Sequence, residues 1–379
     1  MRILHTADLH LGRQFFGMSL EDDHAEILDQ IVAAILDHAV DVLVIAGDVF
    51  DRAAPPTSAV RQFNHFLGRV AHETSAAIVM IAGNHDSGDR IAMMSIFPEA
   101  GRVLVRGVAE ATEPPLVLDD AHGKVAFSAL PFAYEYAARE AFGDEALSSP
   151  EDVLRAQIAA TRAEVPDGAR WVVVAHAFVA GGTVSEAERA LTRVGGIETV
   201  PVDAFDGAQY VALGHLHRPQ SVGVDHVRYS GAPLAFGFDE AGAGKSMVLV
   251  ELDAEGVAQL EALPFRPRRG VRVLTGTLAE LIAGVPSVDF VKAILTDEVP
   301  LIEPMKRLRE VFPNACQIAY ARDARAPEVK AASAAAPVAS PIEMVADFLE
   351  TVRGTRLTVP ETEVVAAALH DLQIGGDGA

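Results

Sequence analysis

Short runs of apolar residues that stop at a polar side chain recur along this chain. The run at residues 43–46, Leu-Val-Ile-Ala, is followed by Gly47 and Asp48. A continuous apolar run of this length fits a strand buried on both faces, and a glycine permits a tight turn or a close backbone approach at its end. Ligands of open α/β sheets bind beyond the carboxyl ends of the strands. The pattern therefore predicts that Asp48 projects into a site, although Gly-Asp at a strand end is also common for purely structural reasons.

Recurrence strengthens the functional interpretation, because four further apolar runs end in the same way. Residues 2–6 lead to Asp8 and His10, residues 77–82 to Asn84, His85 and Asp86, residues 171–175 to His176, and residues 210–213 to His215 and His217. Asp, Asn and neutral His suit Mn, Fe, Zn or Mg, and no cysteine among them favours thiolate chemistry. Such a set predicts two metal ions roughly 4 Å apart. Asp48, with two oxygens at the end of the central strand, is the predicted bridge.

Between these runs the apolar positions take the period of amphipathic helices. Residues 20–38 carry isoleucines on one face, and a second helix is expected after Pro55-Pro56, with Thr57 as its cap. The order strand, helix, strand, helix, strand predicts βαβ units in a mainly parallel sheet. Residues 177–196 predict a long active-site loop, and the short β-rich segments after His217 predict a second, more antiparallel sheet.

The pattern changes near residues 264–270, which predicts a domain boundary. Residues 1–265 contain every strand-end ligand and form the predicted catalytic domain. Residues 266–322 follow a β-α-β-α-β pattern and predict a small second domain. Residues 323–340 are mostly Ala, Pro and Ser, the composition of a flexible linker. Residues 341–373 predict two amphipathic helices, the first of which begins with the capping-box pattern Ser-Pro-Ile-Glu.

The composition limits the class of protein, its compartment and its partners. Half of the residues are apolar, and no apolar run approaches the roughly 20 residues of a membrane span. Because strand and ligand residues follow Arg2 at once, no signal peptide is expected. The single cysteine, Cys316, excludes an internal disulfide and a cysteine-based zinc site. A cytoplasmic protein without membrane contact is expected. The net charge of −22 argues against a DNA-coating protein, because phosphate binding requires Lys and Arg. Arg268 and Arg269, in a local basic cluster, are candidates for DNA binding or for ordinary solvated surface.

Three residues beside the predicted ligands have possible supporting roles. His85 follows the ligand Asn84 and is the candidate catalytic residue, a proton donor to the leaving oxygen. Asp86 is expected to orient His85 or a neighbouring backbone group. Asp51 either supports a ligand or is a turn residue.

The motifs resemble those of a known family. They are Asp8-Leu-His10, Gly47-Asp48, Gly83-Asn84-His85-Asp86, His176 and Gly214-His215-Leu216-His217. This set is similar to the motifs of the calcineurin-like metallophosphoesterases, and within them to the nuclease subunits of the bacterial SbcC–SbcD exonucleases. The resemblance is clearest over residues 1–240. It implies an α/β fold, a two-sheet sandwich flanked by helices, with a small α+β capping domain and C-terminal helices.

The same resemblance implies a ligand set and an activity. One metal would be held by Asp8, His10, Asp48 and His217, and the other by Asp48, Asn84, His176 and His215. The family implies manganese, 3′→5′ exonuclease activity on duplex DNA ends, single-strand endonuclease activity and a role in DNA repair, recombination and replication. It also implies a homodimer that binds an SMC-like ATPase subunit, SbcC, through the C-terminal helices. Archaeal and eukaryotic relatives carry a histidine at the position of Asp51, so no role is transferred to that residue.

Three alternatives stay open from sequence. A phosphomonoesterase or protein phosphatase of the same superfamily would fit the run from Gly47 to Arg52, but Ala53 and Asp86 stand where such enzymes carry Gly and Glu. A non-catalytic binding module would be expected to have lost ligands, and none is missing. A phosphodiesterase of small nucleotides would need neither the second domain nor the C-terminal segment.

Overall fold

The computed structural model describes most of the chain. The described residues are 1–96, 102–188, 192–193, 196–197, 199–322, 346, 357–358, 360–362 and 364–366. The chain divides into two compact units, Met1–Tyr320 and Ala321–Ala379. None of the helices among the described residues combines the length and the apolarity that a membrane crossing requires.

The elements follow the sequence closely. The strands in chain order are β1 (Arg2–Thr6), β2 (Gln14–Phe15), β3 (Met18–Ser19), β4 (Val42–Ala46), β5 (Ala77–Ile81), β6 (Val103–Arg106), β7 (Leu116–Asp120), β8 (Gly123–Leu130), β9 (Arg170–His176), β10 (Thr192–Arg193), β11 (Gly196–Ile197), β12 (Tyr210–Gly214), β13 (Gln220–Val222), β14 (Val224–Tyr229), β15 (Ser246–Leu252), β16 (Val257–Pro264), β17 (Val271–Gly276), β18 (Phe290–Leu295) and β19 (Ala315–Tyr320). The helices are α1 (Glu21–Asp37), α2 (Thr57–Glu73), α3 (Gly88–Ala92), α4 (Glu135–Phe142), α5 (Pro150–Arg162), α6 (Leu278–Ile282) and α7 (Pro304–Arg309).

Two six-stranded sheets form the body of the first unit. The first has the order β16-β15-β1-β4-β5-β6, and the second has the order β13-β14-β12-β9-β8-β7. The strands β1, β4, β5 and β6 are parallel, as the βαβ pattern predicted, and β15 is antiparallel to β1. The prediction that the strands after His217 form one separate sheet is wrong. Strands β13 and β14 join the second sheet, whereas β15 and β16 return to the first.

The two sheets pack face to face, and this explains why the strands lack a polar alternation. In β4, Val42, Val44 and Ala46 belong to the core between the sheets. Leu43 and Ile45 point to the other face, where they pack with α1 and α2. Both faces of the strand are buried, so every position is apolar. A third core lies on the outer face of the second sheet, against α5.

Local sequence signals predicted some helices and helix ends correctly but not others. In α1 the first turn carries three acids, which favour a helix N-terminus. The predicted cap at Thr57 is wrong, because Thr57 is the first helical residue of α2 and Pro56 precedes it as the N-cap. In α5 the Ser149 hydroxyl accepts a hydrogen bond from the Asp152 amide. The eight-residue α4 was not predicted, since it lies between short strands and a polar loop.

Residues 271–320 form a small α/β module with a core of its own. Strands β17, β18 and β19 are parallel in that order, with α6 and α7 in the connections. This matches the predicted β-α-β-α-β pattern. The helix α6 begins with a capping box made by Thr277 and Glu280. The predicted division of the chain at residue 265 stays a prediction, because the module and the sandwich belong to the same compact unit.

The C-terminal unit contains few described residues. The whole of the predicted linker, residues 323–340, and most of the two predicted helices, residues 341–373, lie outside the described residues. Where positions in this segment are described, residues 346, 360–362 and 364–366 are helical. The Thr358 amide and hydroxyl both donate hydrogen bonds to Glu361.

Candidate metal centre

The predicted ligands come from both sheets and meet at one edge of the sandwich. Strands β1, β4 and β5 of the first sheet supply Asp8, His10, Asp48 and Asn84. Strands β9 and β12 of the second sheet supply His176, His215 and His217. The loops after β1 and β4 run side by side, because Asp8 N donates to Gly47 O at 3.0 Å and His10 N donates to Asp48 O at 3.0 Å. The structure therefore brings all seven predicted ligands together.

Glycines at the strand ends allow this close approach. Gly47 has φ +89°, and a Cβ atom there would lie 2.4 Å from His176 Nδ1. A Cβ atom on Gly83 would lie 2.2 Å from Asp48 Oδ1. Any side chain at these positions would displace a predicted ligand.

One half of the site is formed by two histidines and Asp48. The ring nitrogens His10 Nε2 and His217 Nε2 are 3.1 Å apart, and His10 Nε2 lies 3.7 Å from Asp48 Oδ2. The Nδ1 atoms of both rings are buried without a hydrogen-bond partner among the described residues. The Asp8 carboxylate is held from behind by the His215 amide, at 2.9 and 3.1 Å. Nitrogen lone pairs that converge at this distance fit a shared cation.

The other half is formed around Asn84. Its Oδ1 lies 3.0 Å from His176 Nε2 and 3.1 Å from His215 Nδ1. His176 Nδ1 donates to the carbonyl of Ala46 at 2.9 Å. A carbonyl oxygen only accepts, so the proton is on Nδ1 and the Nε2 lone pair is free to coordinate. A ring nitrogen fixed by a backbone carbonyl is a usual support for a metal-binding histidine.

Asp48 connects the two halves. Its Oδ2 lies 3.7 Å from His10 Nε2 and 3.6 Å from His176 Nε2, and these rings belong to different predicted metals. Its other oxygen, Oδ1, accepts a hydrogen bond from the His85 amide at 2.8 Å. The carboxylate is therefore held between the two halves of the site.

The charges of the site fit bound cations. Burial raises the pKa of Asp8 well above its ordinary value, and the neighbouring charge of Asp48 raises it further. Burial lowers the pKa of His176 to about 4 and that of His217 to about 4, and it also lowers the pKa of His10 and His215. These rings are neutral near pH 7 and can coordinate. Divalent cations would relieve the repulsion between the two carboxylates, so the residues present fit a pair of metal ions.

Three residues that contact His217 were missed in the sequence. Glu240 Oε1 lies 3.8 Å from His217 Nδ1, and Lys245 contacts Glu240 and donates to the carbonyl of His217 at 2.8 Å. Glu188 also accepts a hydrogen bond from the His217 amide. Glu240 ends a short 3-10 helix and Lys245 follows the glycine-rich turn after it, both more than twenty residues beyond His217. No local pattern distinguishes them from solvated surface residues.

His85 is held beside the ligands by backbone groups. Its Nδ1 lies 2.8 Å from the carbonyl of Asp51, so Nδ1 carries a proton and Nε2 is free. Its ring is edge-on to that of His10, with centroids 4.7 Å apart. Ligand-capable atoms of His10, Asp51 and His85 all lie within 4.8 Å of one another. The geometry thus permits His85 to be either a ligand or a proton donor.

The two neighbouring aspartates have different surroundings. Asp86 accepts hydrogen bonds from the amides of Val49 and Phe50, at 3.0 and 2.9 Å, and from Gly83. Asp86 therefore fixes the backbone of the Asp48 loop. Of the two roles predicted for Asp86, this is the orientation of a neighbouring backbone group and not of His85. Burial and the charge of Asp48 raise the pKa of Asp86 to about 7. The Asp51 carboxylate accepts a hydrogen bond from Arg13 at 3.3 Å and lies 4.0 Å from His10 Nδ1.

The two predicted DNA-binding arginines are both in ion pairs with α1. Arg268 contacts Asp22 at 3.1 Å, and both side chains are at least half exposed. Arg269 contacts the fully buried Asp23, donates to the carbonyl of Ser19 at 2.7 Å and lies 4.4 Å over the ring of Phe290. Arg269 thus has a structural position between α1 and β18. A role in DNA binding stays a prediction for both arginines.

Comparison with known proteins gives two family matches. The profile of the calcineurin-like phosphoesterases matches residues 1–219. A second profile, SbcD_C, described as the type 5 capsule protein repressor C-terminal domain, matches residues 267–353. Among solved structures, "GAP50 the anchor in the inner membrane complex of Plasmodium" matches with 10% identity and a TM-score of 0.38. That match covers 70% of this chain and 89% of that chain. A similarity at this level carries no argument about function.

The first match covers more than half of the chain and contains all seven strand-end ligands. The seven predicted ligands meet in one cluster at the edge of a two-sheet sandwich, where six of them are buried and Asn84 is half-buried. The second match adds an SbcD-type C-terminal domain. The chain therefore belongs to the calcineurin-like phosphoesterase family.

Proposed function

We propose that this chain is a DNA nuclease that hydrolyses phosphodiester bonds with two divalent metal ions, most simply Mn²⁺. The observation that carries the proposal is the position of Asp48. One of its oxygens lies within 3.7 Å of ring nitrogens from both halves of the site. A single carboxylate between two sets of imidazoles is what a two-metal centre requires.

The proposed ligands divide into two sets that share Asp48. The first set is Asp8, His10, Asp48 and His217, and the second is Asp48, Asn84, His176 and His215. When bound, the two ions would polarise the phosphoryl group, lower the pKa of a water and neutralise the charge that develops on phosphorus.

The residues of the chain prepare this site and serve the leaving group. The Ala46 carbonyl fixes the tautomer of His176, and Lys245 holds the backbone of His217 by donating to its carbonyl. The free Nε2 of His85, when protonated, is the proposed proton donor to the leaving oxygen. Asp86 keeps the Asp48 loop in register through its backbone amides.

DNA is the proposed substrate because of the C-terminal domain. A phosphoesterase of small molecules would not need the module at residues 271–320, and the SbcD-type profile match runs from residue 267 to residue 353. We propose that the module helps to hold DNA, that the exposed Arg268 contributes, and that the chain acts as a homodimer with an SMC-like ATPase subunit. The 3′→5′ exonuclease and single-strand endonuclease activities belong to the same proposal.

The test combines substrate choice with removal of the bridge. Wild-type protein with Mn²⁺ should cleave single-stranded and blunt duplex DNA and the diester bis-p-nitrophenyl phosphate, and EDTA should stop all three reactions. Asp48→Ala should lose both metal ions, measured by elemental mass spectrometry, and all three activities. Asp119→Ala, an exposed carboxylate on β7, is the matched control. Preference for p-nitrophenyl phosphate, a monoester, would favour the phosphatase alternative. Two tightly bound ions in Asp48→Ala would refute the bridging assignment.

A further inference from the structure

Three aromatic side chains form an exposed surface beside the metal centre. Phe132 is half-buried, and the rings of Phe132 and Tyr134 are edge-to-face with centroids 4.9 Å apart. Tyr134 and Tyr136 are stacked at 5.7 Å with an interplanar angle of 11°. Tyr134 is 47% exposed and Tyr136 is 68% exposed. We call Phe132, Tyr134 and Tyr136 the aromatic ledge.

The ledge is attached to the backbone of the site. The Phe132 amide donates to the carbonyl of Ala82 at 2.9 Å, directly before Gly83 and Asn84. The Phe132 ring is edge-on to the ligand His176, with centroids 6.5 Å apart. Tyr134 is the N-cap residue of α4, which fixes its backbone. These contacts place the backbone of Phe132 and Tyr134 next to the proposed ligands.

A cavity of about 550 Å³ connects the ledge to the site. Its lining includes Gly83 and Asn84 at the metal centre and both tyrosines of the ledge. The volume lies in the range of roughly 300–1,000 Å³ that is usual for ligand pockets. A group bound in this cavity would be adjacent to a phosphate held by the metals.

The charge of the cavity determines which part of a nucleic acid fits. Asp89 and Glu140 line it and are exposed. Carboxylates repel phosphates, so the sugar-phosphate backbone is disfavoured here. A nucleobase is neutral and has a flat π-face, and exposed tyrosines are a common stacking surface for unpaired bases.

From this geometry we propose that the aromatic ledge stacks one unpaired nucleobase, that of the nucleotide next to the scissile phosphate. The inference rests on the proposed nuclease function and names the feature of the substrate that this part of the site recognises. Because a base inside a duplex is already stacked, the ledge would favour single strands and frayed ends. It would do so without sequence preference, since every base has a π-face.

The test measures base stacking separately from hydrolysis. A short phosphorothioate oligonucleotide carries 2-aminopurine in place of one base, and Ca²⁺ replaces Mn²⁺ to limit cleavage. Binding to the wild-type protein should quench the 2-aminopurine fluorescence. Tyr134→Ala and Tyr136→Ala should relieve the quenching and weaken binding by about 5- to 150-fold, the range for loss of one base–aromatic stack. Tyr134→Phe and Tyr136→Phe keep the ring and should retain both.

Two controls keep the result interpretable if an alanine variant folds poorly. The metal content of every ledge variant, measured by elemental mass spectrometry, should equal that of the wild-type protein, which shows that the variant is folded around the site. With wild-type protein alone, an abasic nucleotide beside the cleaved bond should weaken binding by the same factor as the alanine variants. In those variants the abasic change should then have no further effect.

The outcomes separate this inference from the proposed function. If wild-type protein binds and cleaves DNA but the abasic nucleotide and the alanine variants change nothing, the ledge does not bind a base. If wild-type protein hydrolyses the small diester but neither binds nor cleaves DNA, the nuclease proposal is wrong and the inference is wrong with it.

Discussion

Single residues of the metal centre have backbone conformations that L-amino acids rarely adopt. Asp8, His10 and Asp48 have φ values of +53°, +46° and +49°. Each such conformation costs of the order of 1–3 kcal/mol and persists only where the surroundings impose it. Here the surroundings are the hydrogen bonds between the loops after β1 and β4. The strain is concentrated at predicted ligands, which indicates that the positions of these side chains are the feature that the fold maintains.

The first residue-scale prediction separates two roles of His85. In His85→Gln the side-chain amide can still donate to the Asp51 carbonyl, so the loop should keep its conformation. Loss of the proton donor should lower kcat for DNA cleavage by about 10²- to 10⁴-fold, the usual range for general acid catalysis. Metal content, measured by elemental mass spectrometry, should stay at two ions. His122→Gln, at an exposed turn, is the matched control. A fall in metal content together with activity would make His85 a ligand, as its closeness to His10 and Asp51 permits.

The second residue-scale prediction concerns pH and does not involve the metal centre. Glu113 is buried, its Oε1 accepts a hydrogen bond from the Glu110 amide, and its Oε2 has no partner among the described residues. Burial raises the pKa of Glu113 to about 7 from an ordinary value of 4.5. Between these two pH values the folded state binds a proton that the unfolded state has released. The free energy of unfolding should therefore fall as pH rises through this window, by roughly 3 kcal/mol at most.

In Glu113→Gln that loss should disappear, because the amide does not titrate. The measurement is the urea midpoint at about pH 5 and about pH 8, with Glu164→Gln, at an exposed position outside this segment, as the control. An identical pH dependence in wild type and Glu113→Gln would show that Glu113 is ionised in the folded protein.

At the scale of elements, the sequence was informative where the signal is local. Apolar runs predicted β1, β4, β5, β9 and β12, and the residue after each run predicted the ligands, because a strand end and its loop are continuous in the chain. The sheet to which β15 belongs was not predictable in the same way. It pairs with β1 across about 245 residues, and that choice depends on packing between elements. Glu240 and Lys245 were missed for the same reason, since their contact with His217 exists only after β15 has joined the first sheet.

The prediction at this scale tests the contact between α1 and the module at residues 271–320. Arg268 pairs with Asp22 at an exposed position, whereas the neighbouring Arg269 pairs with the buried Asp23. Arg269→Ala leaves the buried carboxylate of Asp23 without its partner and should lower the free energy of unfolding by about 3–5 kcal/mol. Arg268→Ala removes an exposed pair and should cost about 0–1 kcal/mol. The measurement is the urea midpoint of each variant.

The same two variants also test the predicted DNA contacts. Arg268→Ala should weaken DNA binding and reduce its salt dependence by about one phosphate contact while the fold is unaffected. Arg269→Ala is expected to destabilise the protein, because it leaves the charge of Asp23 unpaired. The DNA affinity is therefore measured on the double variant Arg269→Ala with Asp23→Asn, in which that charge is removed. Equal destabilisation by both alanine variants would show that the Arg269 pair does not join α1 to the module.

At the scale of the whole molecule, the net charge of −22 is opposite to that expected for a protein that binds DNA alone. The proposed metal ions would supply positive charge only at the site. A partner that contributes further DNA contacts would resolve this conflict. The proposed SMC-like ATPase subunit would be such a partner, and the C-terminal segment is its predicted binding site.

The last prediction concerns that segment. Ser340 to Glu343 has the pattern of a capping box, and Ile342, Val345, Leu349 and Val352 recur at helical spacing. Pro360 is predicted to start a second helix, and residues 360–362 and 364–366 are helical. Helices of this length are marginal in water unless their apolar face is buried, and docking in a groove of a partner is a common solution. We therefore expect that deletion of residues 336–379 abolishes co-purification with the ATPase subunit and leaves Mn²⁺-dependent cleavage of single-stranded DNA intact.

A point variant makes the same test without shortening the chain. Leu349→Glu places a charge in the apolar stripe and should weaken binding to the ATPase subunit, measured by titration calorimetry. Thr351→Glu introduces the same charge on the opposite side of the predicted helix and should have little effect. If the stripe packs against this chain itself, Leu349→Glu should instead lower the thermal stability of the isolated protein. Partner binding at full affinity by both Leu349→Glu and the deletion variant would exclude the segment as the docking site.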